Sequence, residues 1–257
     1  MRKRVQFALA VLLVILAGVG VWQVLRLRGP VYQGKRLSFW LEILYKEILS
    51  GSYDDRNFQP IRHIGTNALP VLIERIRAQD TRLKQEMMTW AQKQKLIHFH
   101  FKSADQRRNE AVWGYGALGP LARAQVPSLI ATLTNDPSLS VRQAAASALG
   151  GIGPEARVAG TALFRATKDT DEGVRNNAFW ALSRILPDPE LTIPVLIAGL
   201  DDPYRVAREN AAIALGRYGL EARAAVPALL RTWATNASAG FALKQIDPEA
   251  AAKAGVR

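Results

Sequence analysis

A period of 33 residues is the feature that most constrains this chain. Arg142, Arg175 and Arg208 follow one another at that step, as do Ala145, Ala178 and Ala211, and Leu149, Leu182 and Leu215. Asp136, Asp169 and Asp202 keep the same spacing. An earlier copy places Arg108 34 residues before Arg142, and its Gly116, Gly119 and Pro120 match Gly150, Gly153 and Pro154. Pro127, Pro194 and Pro227 fill one further column, where Thr161 substitutes. A unit this short cannot bury an apolar face alone, so such a chain stacks its units into an elongated array.

Each unit reads as two helices. Ala145, Ala146 and Leu149, or Ala178, Phe179 and Leu182, fall on one face of a first helix. The glycines and proline of Gly150–Pro154 end it. A second helix opens at the proline column, where a missing N–H is harmless. Its stripe is Leu129, Ile130 and Leu133, repeated as Leu196, Ile197 and Leu200. Asp-Pro at 136–137 and 202–203 turns the chain into the next unit. Alanine on the first helices lets neighbouring units approach closely. Residues 37–49 read as an amphipathic helix, N-capped by Ser38, whose Trp40, Leu41, Leu44 and Ile48 cover the open end of the first unit. Residues 242–255 echo a first helix and read as a truncated closing unit.

Ankyrin and tetratricopeptide signatures are absent. The Asp-x5-Arg spacing, the string Val141–Gly153 and the later Pro-x-Leu resemble HEAT repeats, in the short phycobilin-lyase-type form. The resemblance covers residues 108–235 and extends more weakly to 58–76. The layout also resembles membrane-anchored HEAT proteins of Verrucomicrobia-type bacteria, through Gly34-Lys35-Arg36-Leu37-Ser38-Phe39-Trp40-Leu41 and Asp247–Gly255. That group implies no activity. The fold class expected is all-α: a right-handed α-solenoid of HEAT-like helix pairs behind a single N-terminal transmembrane helix.

The transmembrane reading comes from Val5–Leu25, which is 21 residues without a formal charge. A helix of that length spans about 31 Å, matching a hydrocarbon core of about 30 Å. It is longer than a signal-peptide core of about 7–15 residues, and no good cleavage site follows. Arg2, Lys3 and Arg4 favour an N-terminus inside, although Arg26, Arg28, Lys35 and Arg36 oppose them. The organisation expected is an anchor at 1–28 (span 5–25), a basic linker at 29–36, and a capping helix with a weak first repeat at 37–80. A basic helical insertion at 81–107 and the array at 108–257 follow. The chain would be single-pass in the cytoplasmic membrane, with the solenoid on the periplasmic side.

The net charge of +12 raises nucleic acid as a partner, but its distribution argues otherwise. Residues 1–36 carry +7 and residues 82–108 carry +5, whereas 109–257 carry only +1. Along the second helices the assignable ridge positions include just two bases, Arg165 and Arg231, a poor phosphate track. Nucleic-acid binding, by analogy with HEAT-like alkylpurine DNA glycosylases, is therefore the alternative. An enzyme akin to phycobilin lyases is a weaker one, since a shared fold is no evidence for a site.

With no cysteine there is no thiol nucleophile, disulfide or cysteine-ligated metal. No catalytic motif stands out, and Glu110 and Glu209 sit at solvent-facing spacing in repeat helices. His98 and His100 are two apart but lack a third ligand, and His63 lies in a separate helix. No catalytic residue, cofactor or metal is assigned. The Asp/Arg columns read as structural because they recur with each repeat. The partner expected is a protein. Candidate contacts are Lys84, Lys93 and Lys95 in the insertion, Trp113 and Trp180 in one repeat column, and Arg165 and Arg231.

Overall fold

The computed structural model describes residues 29–51, 54–93 and 102–256, with no side-chain description for 91–93. The expected span at 5–25 lies outside the described residues. Among those described, no helix is long and apolar enough to cross a membrane.

The described residues open on a small antiparallel hairpin within the stretch expected as a basic linker at 29–36. Strand β1 (Val31–Tyr32) pairs with β2 (Lys35–Arg36) in the register Val31↔Arg36 and Tyr32↔Lys35. Gln33 and Gly34 both take positive φ, at 48° and 69°, as a tight two-residue hairpin turn requires. The hairpin is held to the fold: Tyr32 stacks on His63 with ring centroids 4.9 Å apart, and the Trp40 indole N–H donates to the Tyr32 carbonyl at 3.1 Å.

Helix α1 (Leu37–Leu49) follows directly. Its N-cap is Arg36 without a side-chain cap, so Ser38 sits one residue inside and not at the cap expected of it. The Leu37 amide is satisfied instead by the Pro30 carbonyl at 2.9 Å. Leu37, Leu41 and Leu44 are buried, with Trp40 and Ile48 packed beside them, which covers the open end as the pattern predicts.

Next come α2 (Gln59–Ile64), α3 (Leu69–Ile76) and the insertion helix α4 (Arg82–Lys93). The array is then α5 (Ala104–Leu118), α6 (Val126–Asn135), α7 (Leu139–Ile152), α8 (Gly160–Ala166), α9 (Glu172–Ile185), α10 (Pro189–Gly199), α11 (Arg205–Tyr218) and α12 (Val226–Thr232). Helices α13 (Ala237–Ile246) and α14 (Pro248–Lys253) close it. First helices are α5, α7, α9, α11 and α13; second helices are α3, α6, α8, α10 and α12. Helix α5 starts four residues before the array boundary expected at 108, because Ser103 caps it by accepting from the Gln106 amide. Helix α10 also starts early, at Pro189, and leaves Pro194 inside it.

The broadest packing in the molecule is between successive first helices. One small residue per helix makes it possible: Ala111, Ala145, Ala178 and Ala211 form a column with no exposure at all. Where helices come closest, even a methyl is excluded. A Cβ on Gly150 would overlap the Trp180 ring and stand 2.9 Å from the Ala181 Cα. First helices stop at a recurring glycine. Gly119, Gly153 and Gly219 hold φ of 50°, 83° and 56°, open to glycine at little cost. In the fourth unit Leu186 takes that place at φ 45°, and the connection to α10 shortens.

The insertion leaves through a tied neck. Asp80 accepts from Lys84 Nζ at 2.5 Å, Arg107 at 3.0 Å and the Ala104 amide at 2.6 Å, so residues either side of the excursion meet on one carboxylate. Lys84 also donates to the Lys102 carbonyl at 2.7 Å. Burial alone would raise the Asp80 carboxyl, but the Lys84 and Ala104 hydrogen bonds outweigh it and hold it below its ordinary value.

Gly150→Ala should destabilise the fold by about 1–3 kcal/mol, the range for overpacking a tight contact. Adding Trp180→Leu should recover only part, because the Ala181 backbone clash remains. Urea midpoints of the three proteins check both statements.

Candidate functional site

The Asp/Arg columns form an inter-repeat ladder. Arg142 grips Asp169 of the following turn through two parallel hydrogen bonds of 2.9 and 3.0 Å, and Arg175 grips Asp202 at 2.8 and 3.1 Å. The same arginines donate back to turn carbonyls: Arg142 to Asp136 and Pro137, Arg175 to Asp169 and Thr170, Arg208 to Asp202 and Pro203. Each aspartate also accepts an amide two residues on: Ser138, Asp171 and Tyr204. The carboxylates thus shape the turn before the helix, and residues such as Asp171 do the capping. The side-chain bond to Asp169 holds Arg142 above its ordinary value. Burial alone would raise Asp169, but Arg142 and the Asp171 amide outweigh it and hold it low. Fork-to-carboxylate pairs are specific and strong. The two arginine–aspartate forks join successive repeats, and the remaining bonds brace the turns between them.

At the N-terminal end the ladder gives way to a charged cluster. Glu110, expected to face solvent, is fully buried. It pairs with Arg75 and Lys102 and accepts from Gln106. The reason is its helix: α5 packs against α1, α2, α3 and α7, so a position that faces water in a two-sided repeat is covered here. Lys102 bridges Glu110 at 2.9 Å to Glu42 of α1 at 2.7 Å. Glu209, the other acid read as solvent-facing, is half-exposed and paired with Arg205.

The residues chosen from sequence fall on separate surfaces. Lys84 belongs to the insertion neck, and its ammonium is engaged by Asp80 and Lys102. Lys93 ends α4 without a described side chain, and Lys95 lies outside the described residues. Trp113 and Trp180 are half-buried against the core, Trp180 in the notch left by Gly150. Arg165 and Arg231 are exposed on second helices, and Arg231 pairs with Asp201 at 3.0 Å. His98 and His100 lie outside the described residues. His63 meets the Gln59 carbonyl at 2.8 Å. Among the described residues no three His, Asp or Glu side chains stand together as metal ligands would.

A further surface escaped the sequence reading. Leu121, Val158, Leu191 and Leu220 are 50–76% exposed. Leu121, Val158 and Leu220 lie on connections between first and second helices and Leu191 lies in the first turn of α10, and so along one edge of the solenoid. Beside Leu191 and Leu220 lies an open depression of about 750 Å³ lined by Pro189, Ile193, Pro194 and Ala224, with Asp188 and Glu221 at its rim. Each leucine or valine alone is unremarkable in sequence, and only Val158 and Leu191 keep the 33-residue step.

The cluster at Glu42 predicts acid sensitivity. The Lys102 hydrogen bond, then that of Lys46, holds the Glu42 carboxyl down at about 2 against an ordinary 4.5. A depressed carboxyl contributes stability that is complete above its unfolded value and is lost as pH falls through its folded one. The stability difference between the native chain and Glu42→Gln should therefore be full above 4.5 and fade to nothing by about 2. Urea unfolding across that window measures it.

A family model described as HEAT repeats matches residues 126–216, from α6 to the end of α11. No curated protein matches the chain. Among solved structures, an engineered protein from a structural-genomics consortium aligns at TM-score 0.47 and 18% identity, over 83% of this chain and 97% of its own. A designed armadillo repeat protein solved with the peptide (KR)4 aligns at TM-score 0.43 and 20% identity, over 72% of this chain and 98% of its own.

Proposed function

We propose that this chain is a membrane-tethered, non-catalytic scaffold that holds a protein partner on a right-handed HEAT-like solenoid. The observation that carries the binding role is the apolar edge of Leu121, Val158, Leu191 and Leu220. Four large aliphatic side chains are exposed along one side of the array, Val158 and Leu191 in the same repeat column, and grouped exposed apolar side chains mark contact surfaces. The adjoining depression gives that edge relief. The tether rests on the 21-residue uncharged run at 5–25, with the solenoid on the periplasmic side of the cytoplasmic membrane.

Several buried and half-buried carboxylates are engaged in holding the fold. Glu110, Glu42, Asp80, Asp169 and Asp202 each hold together two or more elements. This supports a scaffold over a lyase-like enzyme. Against nucleic acid, the ridge positions on second helices offer Arg165 and an Arg231 already balanced by Asp201, too little positive charge for a phosphate track.

Photocrosslinking amino acids at Leu191 and Leu220 of the full-length protein, in native membranes, test the edge. Both positions should yield one adduct of the same mass, and Thr170 on the opposite edge none. Val158→Asp should weaken that adduct about tenfold or more, as loss of an apolar contact worth over 1 kcal/mol implies. Absence of adducts at the edge, or equal yield at Thr170, contradicts the proposal.

A further inference from the structure

Helix α4 is the least supported element of the fold. It has no extensive packing against another described helix, and at 12 residues it is at the length where an isolated helix is marginal in water. Its composition nevertheless separates by face. Leu83, Met87 and Trp90 recur at helical spacing and are 67%, 47% and 62% exposed. Gln85 and Thr89 occupy the far side, and Arg82 and Glu86, paired at 3.1 Å, flank the stripe. Lys84 and Met88 are the half-buried positions, which marks the side turned toward the body. An amphipathic helix standing off its own fold, with an aromatic and two long aliphatic side chains in water, needs a surface to lie on.

The position of the helix says what that surface is. Its neck residue Arg107 lines a cavity of about 250 Å³ together with Gly29, Arg36, Val71 and Arg75. Gly29 is therefore at the base of the insertion, and it follows the uncharged run ending at Leu25 by four residues. Four residues reach at most about 14 Å. If 5–25 crosses a bilayer, the bilayer surface lies within that distance of the cavity from which α4 emerges. The charge agrees. Residues 26–36 add Arg26, Arg28, Lys35 and Arg36 without an acid, and Lys93 and Lys95 follow the stripe in sequence, whereas Lys84, Lys102 and Arg107 are engaged by Asp80, Glu42 and Glu110. Basic residues near a membrane surface favour anionic lipid.

We propose that α4 is a second membrane contact, lying in the interface of an anionic bilayer with Leu83, Met87 and Trp90 toward the acyl chains. The inference rests on the tethered reading of residues 5–25. With the helix down, the chain is held to the membrane at two points, and the solenoid cannot pivot freely about its anchor.

The absence of cysteine makes the test direct, since each introduced cysteine is unique. Spin labels at Leu83→Cys, Met87→Cys, Trp90→Cys, Gln85→Cys and Thr89→Cys are read in the full-length protein. The protein is placed in phosphatidylglycerol–phosphatidylcholine vesicles and in phosphatidylcholine alone. Collision with oxygen reports acyl chains, and collision with a nickel chelate reports water. A label at Val14→Cys reports the anchor separately. The expected result is an oxygen-dominated signal at 83, 87 and 90, nickel-dominated signals at 85 and 89, and a smaller contrast without the anionic lipid. Nickel access at all five positions overturns the proposal. Protection of 83, 87 and 90 from both reagents overturns it too, because protein would then cover the stripe. A contrast equal in both lipids overturns the anionic preference. A water-accessible Val14 label shows instead that the tether itself has failed, whereas an acyl-buried Val14 with a wet α4 sinks this inference alone.

Discussion

The close stacking of first helices is the contact on which the rest of the molecule depends. A helix pair of this size leaves one face apolar, and only the neighbouring pair can cover it. The alanine column at 111, 145, 178 and 211 sets the spacing, and Gly150 and Gly151 allow the closest approaches to neighbouring backbone. The Arg–Asp ladder then fixes register. Arg142 and Arg175 each reach forward into the next turn, so a unit that slipped along its neighbour would leave a partly buried carboxylate and guanidinium unpaired. Leaving such charges alone costs several kcal/mol. Packing provides the attraction, and the ladder provides the alignment.

The two ends solve the problem of an open stack differently. At the C-terminal end α13 continues the first-helix layer, with Ala239, Ala242, Leu243 and Ile246 buried, and Asn236 ties it back to the Arg208 carbonyl at 3.2 Å. At the N-terminal end α1 covers α5, but the joint includes charge. Glu110, Arg75, Lys102 and Glu42 link α1, α3 and α5 at one place. The hairpin, the insertion neck and the chain's entry at Gly29 share that end. The array is thus mechanically polar, with connections gathered at one end and an apolar edge running along the rest.

Much of this was legible in the sequence, and the misses have physical causes. Columns such as Arg142, Arg175 and Arg208 announced the helix pairs because one local environment recurs. The same regularity misled at Glu110, where α5 meets α1 and α3 in place of a standard preceding unit. The hairpin at 31–36 was hidden because two residues per strand are too few to show alternation. The neck at Asp80 joins residues 24 or more apart in sequence, and no spacing rule reveals such a pairing. The HEAT-repeat match at 126–216 falls where the columns are most regular. Of the seven candidate contact residues, Trp180 fills a gap between helices and Lys84 secures the neck. The apolar edge is drawn from unequally spaced residues, 37, 33 and 29 apart, which only the fold brings to one side.

Function turns on where the array stands relative to a membrane. A topology reporter fused after Arg257, active on one side only, decides this most directly. The expected result is activity on the periplasmic side, lost when the uncharged run at 5–25 is interrupted by arginine. Activity in the cytoplasm, or a fusion that remains soluble in the intact chain, would contradict the tethered scaffold.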